Sequence, residues 1–103
     1  MEFINLIELQ GIVGSVQGTK FQNDNPIYRF SLYTEVIQGD LIDCTWFSCT
    51  ACESEKITGL NKLVKGTKVH LTGRMKARGY VGSDGMERNT MEVICKTLEI
   101  KNE

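Results

Sequence analysis

The sequence predicts an all-β domain, a five-stranded Greek-key barrel with one short helix between strands 3 and 4. Three observations carry that expectation. Apolar and polar residues alternate with a period of two in five separate stretches, as strands with one buried face require. Clusters of Asn, Asp, Gly and Pro separate most of those stretches and mark turns. One segment alone, between the third and fourth stretches, spaces its apolar residues as a helix does. At 103 residues the chain fits a single domain, residues 1–103, able to bury a modest core without metals or disulfides.

The first strand is expected from Leu6 to Val16, with Ile7, Leu9, Gly11 and Val13 on one face and Glu8, Gln10 and Ile12 on the other. Gly11 and Gly14 inside it point to a bend or bulge where a long strand turns a barrel corner. Gly18 to Pro26 is polar and holds the turn cluster Asn23-Asp24-Asn25-Pro26. The second strand runs from Ile27 to Val36, alternating Tyr28, Phe30, Leu32 and Thr34 with Arg29, Ser31, Tyr33 and Glu35. Gln38-Gly39-Asp40 breaks it. The third, Asp43 to Cys52, sets Trp46, Ser48, Thr50 and Cys52 against Phe47, Cys49 and Ala51.

Ser54 then reads as the N-cap of a short helix burying Ile57, Leu60 and Val64, weakened by Gly59 and ended by Gly66. The fourth strand, Thr67 to Tyr80, puts Val69, Leu71, Gly73, Met75 and Ala77 inward and Lys68, His70, Thr72, Arg74, Lys76, Arg78 and Tyr80 outward. Ser83-Asp84-Gly85 signals a hairpin. The fifth strand, from Arg88 to Ile100, has Met91, Val93 and Cys95 facing one way.

Five strands with a helix after the third is the OB-fold layout, whose central strands present a concave face to oligonucleotides. A ferredoxin-like alternation needs a helix where the Asn/Asp/Pro turn stands. On the concave face the sequence would gather Arg29, Ser31 and Tyr33, then Trp46, Ser48 and Thr50, then Arg74, Lys76, Arg78 and Tyr80. Core places in the third strand are already filled by Phe47, Cys49 and Ala51, which leaves Trp46 for the ligand face. Cations interleaved with aromatic rings suit single-stranded nucleic acid, because phosphates are neutralised while bases stack. Such contacts barely sense the sugar, so they admit RNA as well as DNA.

Net charge is −1 overall but unevenly placed: −6 over residues 1–55, +7 over 56–83 and −2 over 84–103. No Asp or Glu occurs between Lys56 and Ser83, which hold seven of the twelve basic residues. A near-neutral total therefore hides a strong local field. The chain opens with no charged-then-apolar leader and has no run of membrane-spanning length, so a cytoplasmic location is the default expectation.

Cys44, Cys49, Cys52 and Cys95 are expected as buried or half-buried reduced thiols. The Cys49–Cys52 pair has no second pair to complete a zinc site, and in a strand its side chains point to opposite faces. No metal and no cofactor are expected. His70 has no nucleophile or carboxylate partner at useful spacing, and no phosphate-cradling Gly loop is present, so an enzyme is not expected.

Several segments, in order, resemble the DNA-binding domain of bacterial single-stranded DNA-binding proteins, over most of the chain. Asn5-Leu-Ile-Glu-Leu-Gln-Gly-Ile-Val-Gly14 resembles that family's opening strand, and Thr45-Trp46-Phe47 its T-E-W-H segment. Leu63 to Arg74 is similar to L-x-K-G-x-x-V-x-V-x-G-x-L. Lys76 to Tyr80, Asp84-Gly85 and Thr90-Met-Glu-Val93 are similar to the R-x-R-x-[YW]…D-G…T-T-E-V hairpin. The resemblance implies Trp46 and Tyr80 as base-stacking aromatics and Arg74, Lys76 and Arg78 in a backbone-contacting strand.

The resemblance further implies sequence-independent binding of single-stranded DNA in replication, recombination or repair by a homo-oligomer, a tetramer first and a dimer second. Apolar Ile12 and Ile94 on nominally outer faces agree with an oligomer. Cys52 and Asn89 stand where the family commonly has aromatics, which implies weaker stacking. The chain stops at Lys101-Asn102-Glu103 without the family's linker and acidic tip, so binding is expected to be free of inhibition by a tail. The alternative is a primosome-type adaptor whose concave face binds replication proteins more than DNA.

Overall fold

The computed structural model describes residues 1–22 and 25–101, with side chains described outside 18–25. The strands are β1 (Ile7–Gln22), β2 (Asn25–Gln38), β3 (Leu41–Cys52), β4 (Lys68–Val81) and β5 (Glu87–Lys101). They close a barrel in the order β1-β2-β3-β5-β4. All neighbours are antiparallel except β3 and β5, which run parallel through Cys49↔Val93 and Thr50↔Ile94.

The predicted alternation selects the core. Val13, Leu32, Val69, Leu71 and Val93 are almost fully buried, joined by Phe30, Cys49 and Ala51. Leu98 is buried as well, although its parity differs from that of Val93. A register shift resolves this: Thr72 pairs with Thr97 but Gly73 with Cys95. Lys96 is thus the extra residue of a bulge, and the inward face passes from Val93 and Cys95 to Leu98 and Ile100. A second shift falls between Val13 and Ser15, where Gly14 was expected to bend β1.

Every strand is longer at one or both ends than the alternation indicated. β1 continues to Gln22 and meets β2 through Lys20↔Ile27 and Gln22↔Asn25; backbone pairing there needs no apolar face. The turn assigned to Asn23-Asp24 lies outside the described residues. Two hairpins, β2–β3 and β4–β5, project past the barrel. Met91 and Ala77, expected to face the core, are consequently exposed, as are Val36, Ile37, Leu41 and Ile42. The radius of gyration, 15.0 Å, exceeds the value of about 13 Å for a compact domain of roughly a hundred residues, as projecting arms require.

The expected helix is a single 3-10 turn, Leu60–Lys62. Gly59 at φ +76° interrupts the segment, and Ser54 caps only a tight turn, accepting the Lys56 N–H at 3.3 Å on Oγ. Three-residue spacing then buries Ile57, Leu60 and Leu63 and leaves Val64 exposed, instead of Ile57, Leu60 and Val64.

Before β1, Asn5 imitates a strand with its side chain. Its Nδ2 donates to Met75 O at 2.8 Å and its Oδ1 accepts the Met75 N–H at 3.0 Å, two residues beyond the Ile7↔Gly73 pair. Each such bond contributes about 1 kcal/mol at best in a solvated setting. Asn5→Ala is therefore expected to lower unfolding free energy by about 1 kcal/mol in a urea titration, and to speed amide exchange at Met75. An unchanged Met75 exchange rate would show that the clamp does not hold.

Candidate nucleic-acid interface

The outward residues of β2 and β3 meet as rungs. Tyr33 lies opposite Trp46, Ser31 opposite Ser48, and Arg29 opposite Thr50. The parallel seam carries the last rung onward: Thr50 pairs with Ile94 and Ile94 with Arg74. One row across four strands thus reads Arg29, Thr50, Ile94, Arg74. Lys76 sits opposite Glu92 and Arg78 opposite Thr90.

Trp46 is 60% exposed, and its ring centroid is 5.1 Å from that of Tyr33 with planes at 52°. The indole lies over Gly14, where a Cβ would come within 2.3 Å of Trp46 Cζ3. Absence of a side chain at Gly14 is what lets the ring lie flat enough to offer a face. The Tyr33 hydroxyl lies 2.8 Å from Glu35 Oε1 and 3.0 Å from Cys44 Sγ, sharing its one proton between them. Those contacts, the thiol's first, push its pKa above the usual phenol range.

A cleft of about 370 Å³ opens beside these rungs, lined by Ser15, Gln17, Arg29, Phe30, Ser31, Ser48 and Arg78. Two guanidinium groups and three hydroxyls around one cleft can bind phosphate oxygens. Ser31 Oγ is already engaged, accepting the Ser15 N–H at 3.0 Å.

Arg78 also lies 3.7 Å from Glu92 Oε2, and Glu92 accepts the Thr50 hydroxyl at 3.1 Å. The sequence reading singled out neither Glu92 nor the β1 residues Ser15 and Gln17. Outward parity with Ile94 could have found Glu92. Ser15 and Gln17 lie past the Gly14 bulge, where parity counted from Val13 fails.

Tyr80 is half exposed on the projecting β4–β5 hairpin, opposite Arg88. It borders a second cleft of about 290 Å³ with Val81, Glu87, Arg88 and Asn89. In the same hairpin Arg88 donates to Asp84 at 2.6 Å. The Met86 amide first, then Arg88, hold the Asp84 carboxyl below its usual range. The structure therefore joins Arg29, Ser31, Tyr33, Trp46, Ser48, Thr50 and Arg74 through strand register and Arg78 through the cleft. Lys76 adjoins them across β5, and Tyr80 stands apart on the arm.

His70, for which the sequence spacing offers no carboxylate partner, has one in the fold: Glu8 of β1, 62 residues away, lies 2.8 Å from its ring. Cys49 and Cys52 occupy opposite sides of β3, one buried and one partly exposed, so they do not converge. Cys44, expected to be buried or half-buried, is exposed because it lies on the β2–β3 arm. Cys95 is half-buried, and its contact with Cys49 first, then burial, pushes its thiol pKa up.

The sequence model of the Single-strand binding protein family matches residues 4–101. No curated protein matches the chain. Among solved structures, the Plasmodium falciparum SSB in complex with ssDNA aligns with a TM-score of 0.77 at 20% identity, covering 99% of this chain and 98% of that one. At that identity the likeness speaks for the fold, an OB-fold barrel. Because the family match takes in nearly the whole domain, this chain belongs to the single-strand binding protein family.

Proposed function

We propose that the chain binds single-stranded DNA without catalysis and with little sequence preference, as a homo-oligomer serving replication, recombination or repair in the cytoplasm. The ladder Tyr33–Trp46, Ser31–Ser48, Arg29–Thr50, flanked by Arg74, Lys76 and Arg78, carries this reading. It offers ring faces and phosphate partners, and stacking on a ring is open to every base, which supports binding with little sequence preference. Family membership supports the same ligand. For the oligomer, a tetramer before a dimer, the support is the family together with exposed Phe3, Ile4, Leu6 and Ile12 near and on β1. Among the described residues no helix is long and apolar enough to cross a membrane.

Intrinsic fluorescence tests the ligand, since Trp46 is the sole tryptophan. A dT oligomer is expected to quench it saturably, poly-U to do so less or equally, and duplex DNA not at all. Absence of quenching by dT at any concentration, or quenching by duplex alone, would refute the assignment.

A further inference from the structure

We propose that Glu92 is an internal counter-ion of the interface, holding Arg78 against an incoming phosphate and so limiting how tightly the chain grips a single strand. The inference rests on the single-strand reading above. Glu92 is a carboxylate set among the cations Arg29, Arg74, Lys76 and Arg78. Its side chain is only 12% exposed, against 44% for Arg78, and it is the strand partner of Lys76. Thr50 anchors it with a hydrogen bond at 3.1 Å, so it does not swing clear when ligand arrives.

The Arg78–Glu92 contact is a single long one, 3.7 Å from Nη1 to Oε2. A long contact to a half-exposed guanidinium is weak. A phosphate can therefore win Arg78, but it then lies close to a carboxylate fixed on the same surface. That repulsion acts on the bound state and opposes the field of the neighbouring cations. Glu92 is thus a positioning residue acting through Arg78, and its effect belongs to charge, not to the shape of the groove.

Glu92→Gln separates the two, because the amide oxygen still accepts the Thr50 hydroxyl while the charge is gone. With a dT oligomer as probe, E92Q is expected to bind about threefold to tenfold tighter at low salt, the scale of one partly screened charge at this range. The log–log salt slope should steepen by about 0.7, one added phosphate neutralisation on a single strand. In an Arg78→Ala background the gain should shrink, because no guanidinium then draws a phosphate up beside Glu92. Glu92→Asp, too short to reach Arg78 as closely, should shift affinity the same way by less, and it reports on the idea should E92Q fail to fold.

Unchanged or weaker binding by both variants, or a gain undiminished by Arg78→Ala, overturns the proposal. A loss of affinity with an unchanged slope would make Glu92 a structural support only. Failure of the wild-type chain to bind dT would sink the single-strand reading and this inference with it, whereas normal wild-type binding without an E92Q effect would sink the inference alone.

Discussion

Trp46→Ala is expected to cost 1–3 kcal/mol of affinity for a dT oligomer, roughly 5- to 150-fold, while leaving the barrel folded. The indole is 60% exposed and takes no place in the core, which β3 fills with Phe47, Cys49 and Ala51. Its contacts are with Tyr33 and with the backbone at Gly14, so its loss removes a platform and opens no cavity. Because stacking is independent of phosphate neutralisation, the mutant's salt slope should equal that of the wild type. Binding is measured by anisotropy of a labelled oligomer, folding by far-UV circular dichroism. A mutant that unfolds, or one that binds as tightly as the parent, would remove Trp46 as the anchor of the site.

Much of this candidate surface is legible in the sequence, and the reason is geometric. Alternation in a half-buried strand fixes which residues point outward, so Arg29, Ser31 and Tyr33 and their partners Trp46, Ser48 and Thr50 could be named from parity alone. What parity cannot supply is the count across a bulge. Gly14 and Lys96 each reset it, hiding Ser15, Gln17 and Leu98. Nor does it say where a strand leaves the barrel, so parity assigns Met91 and Ala77 to the core although they lie exposed on a projecting arm. The helix failed for a local reason: a left-handed Gly59 confines it to one turn, and three-residue spacing exchanges Val64 for Leu63. A charge count along the chain does not reveal Glu92. That residue lies on β5, the strand beside the basic one, and sequence distance conceals its 3.7 Å contact with Arg78.

Affinity for a single strand is expected to fall roughly 15- to 50-fold between 50 and 200 mM salt, about 2 kcal/mol. Four cations, Arg29, Arg74, Lys76 and Arg78, border the rungs, and each phosphate neutralised on a single strand contributes about 0.7 to the slope. Full engagement of all four would give a slope of about −2.8. Partial compensation of Arg78 by Glu92 draws it toward about −2, as if three were free. The net charge of −1 argues the opposite way and predicts weak or negligible salt dependence. The local arrangement prevails because charges beyond the Debye length, about 10 Å at 0.1 M, are screened from the groove. Quenching amplitude at saturation should meanwhile stay constant, since salt removes phosphate contacts and leaves the stacked ring in place. A slope near zero would show that the basic segment does not face the strand. A slope beyond about −4 would show that cations outside this groove bind it too, as wrapping around several subunits of an oligomer would require.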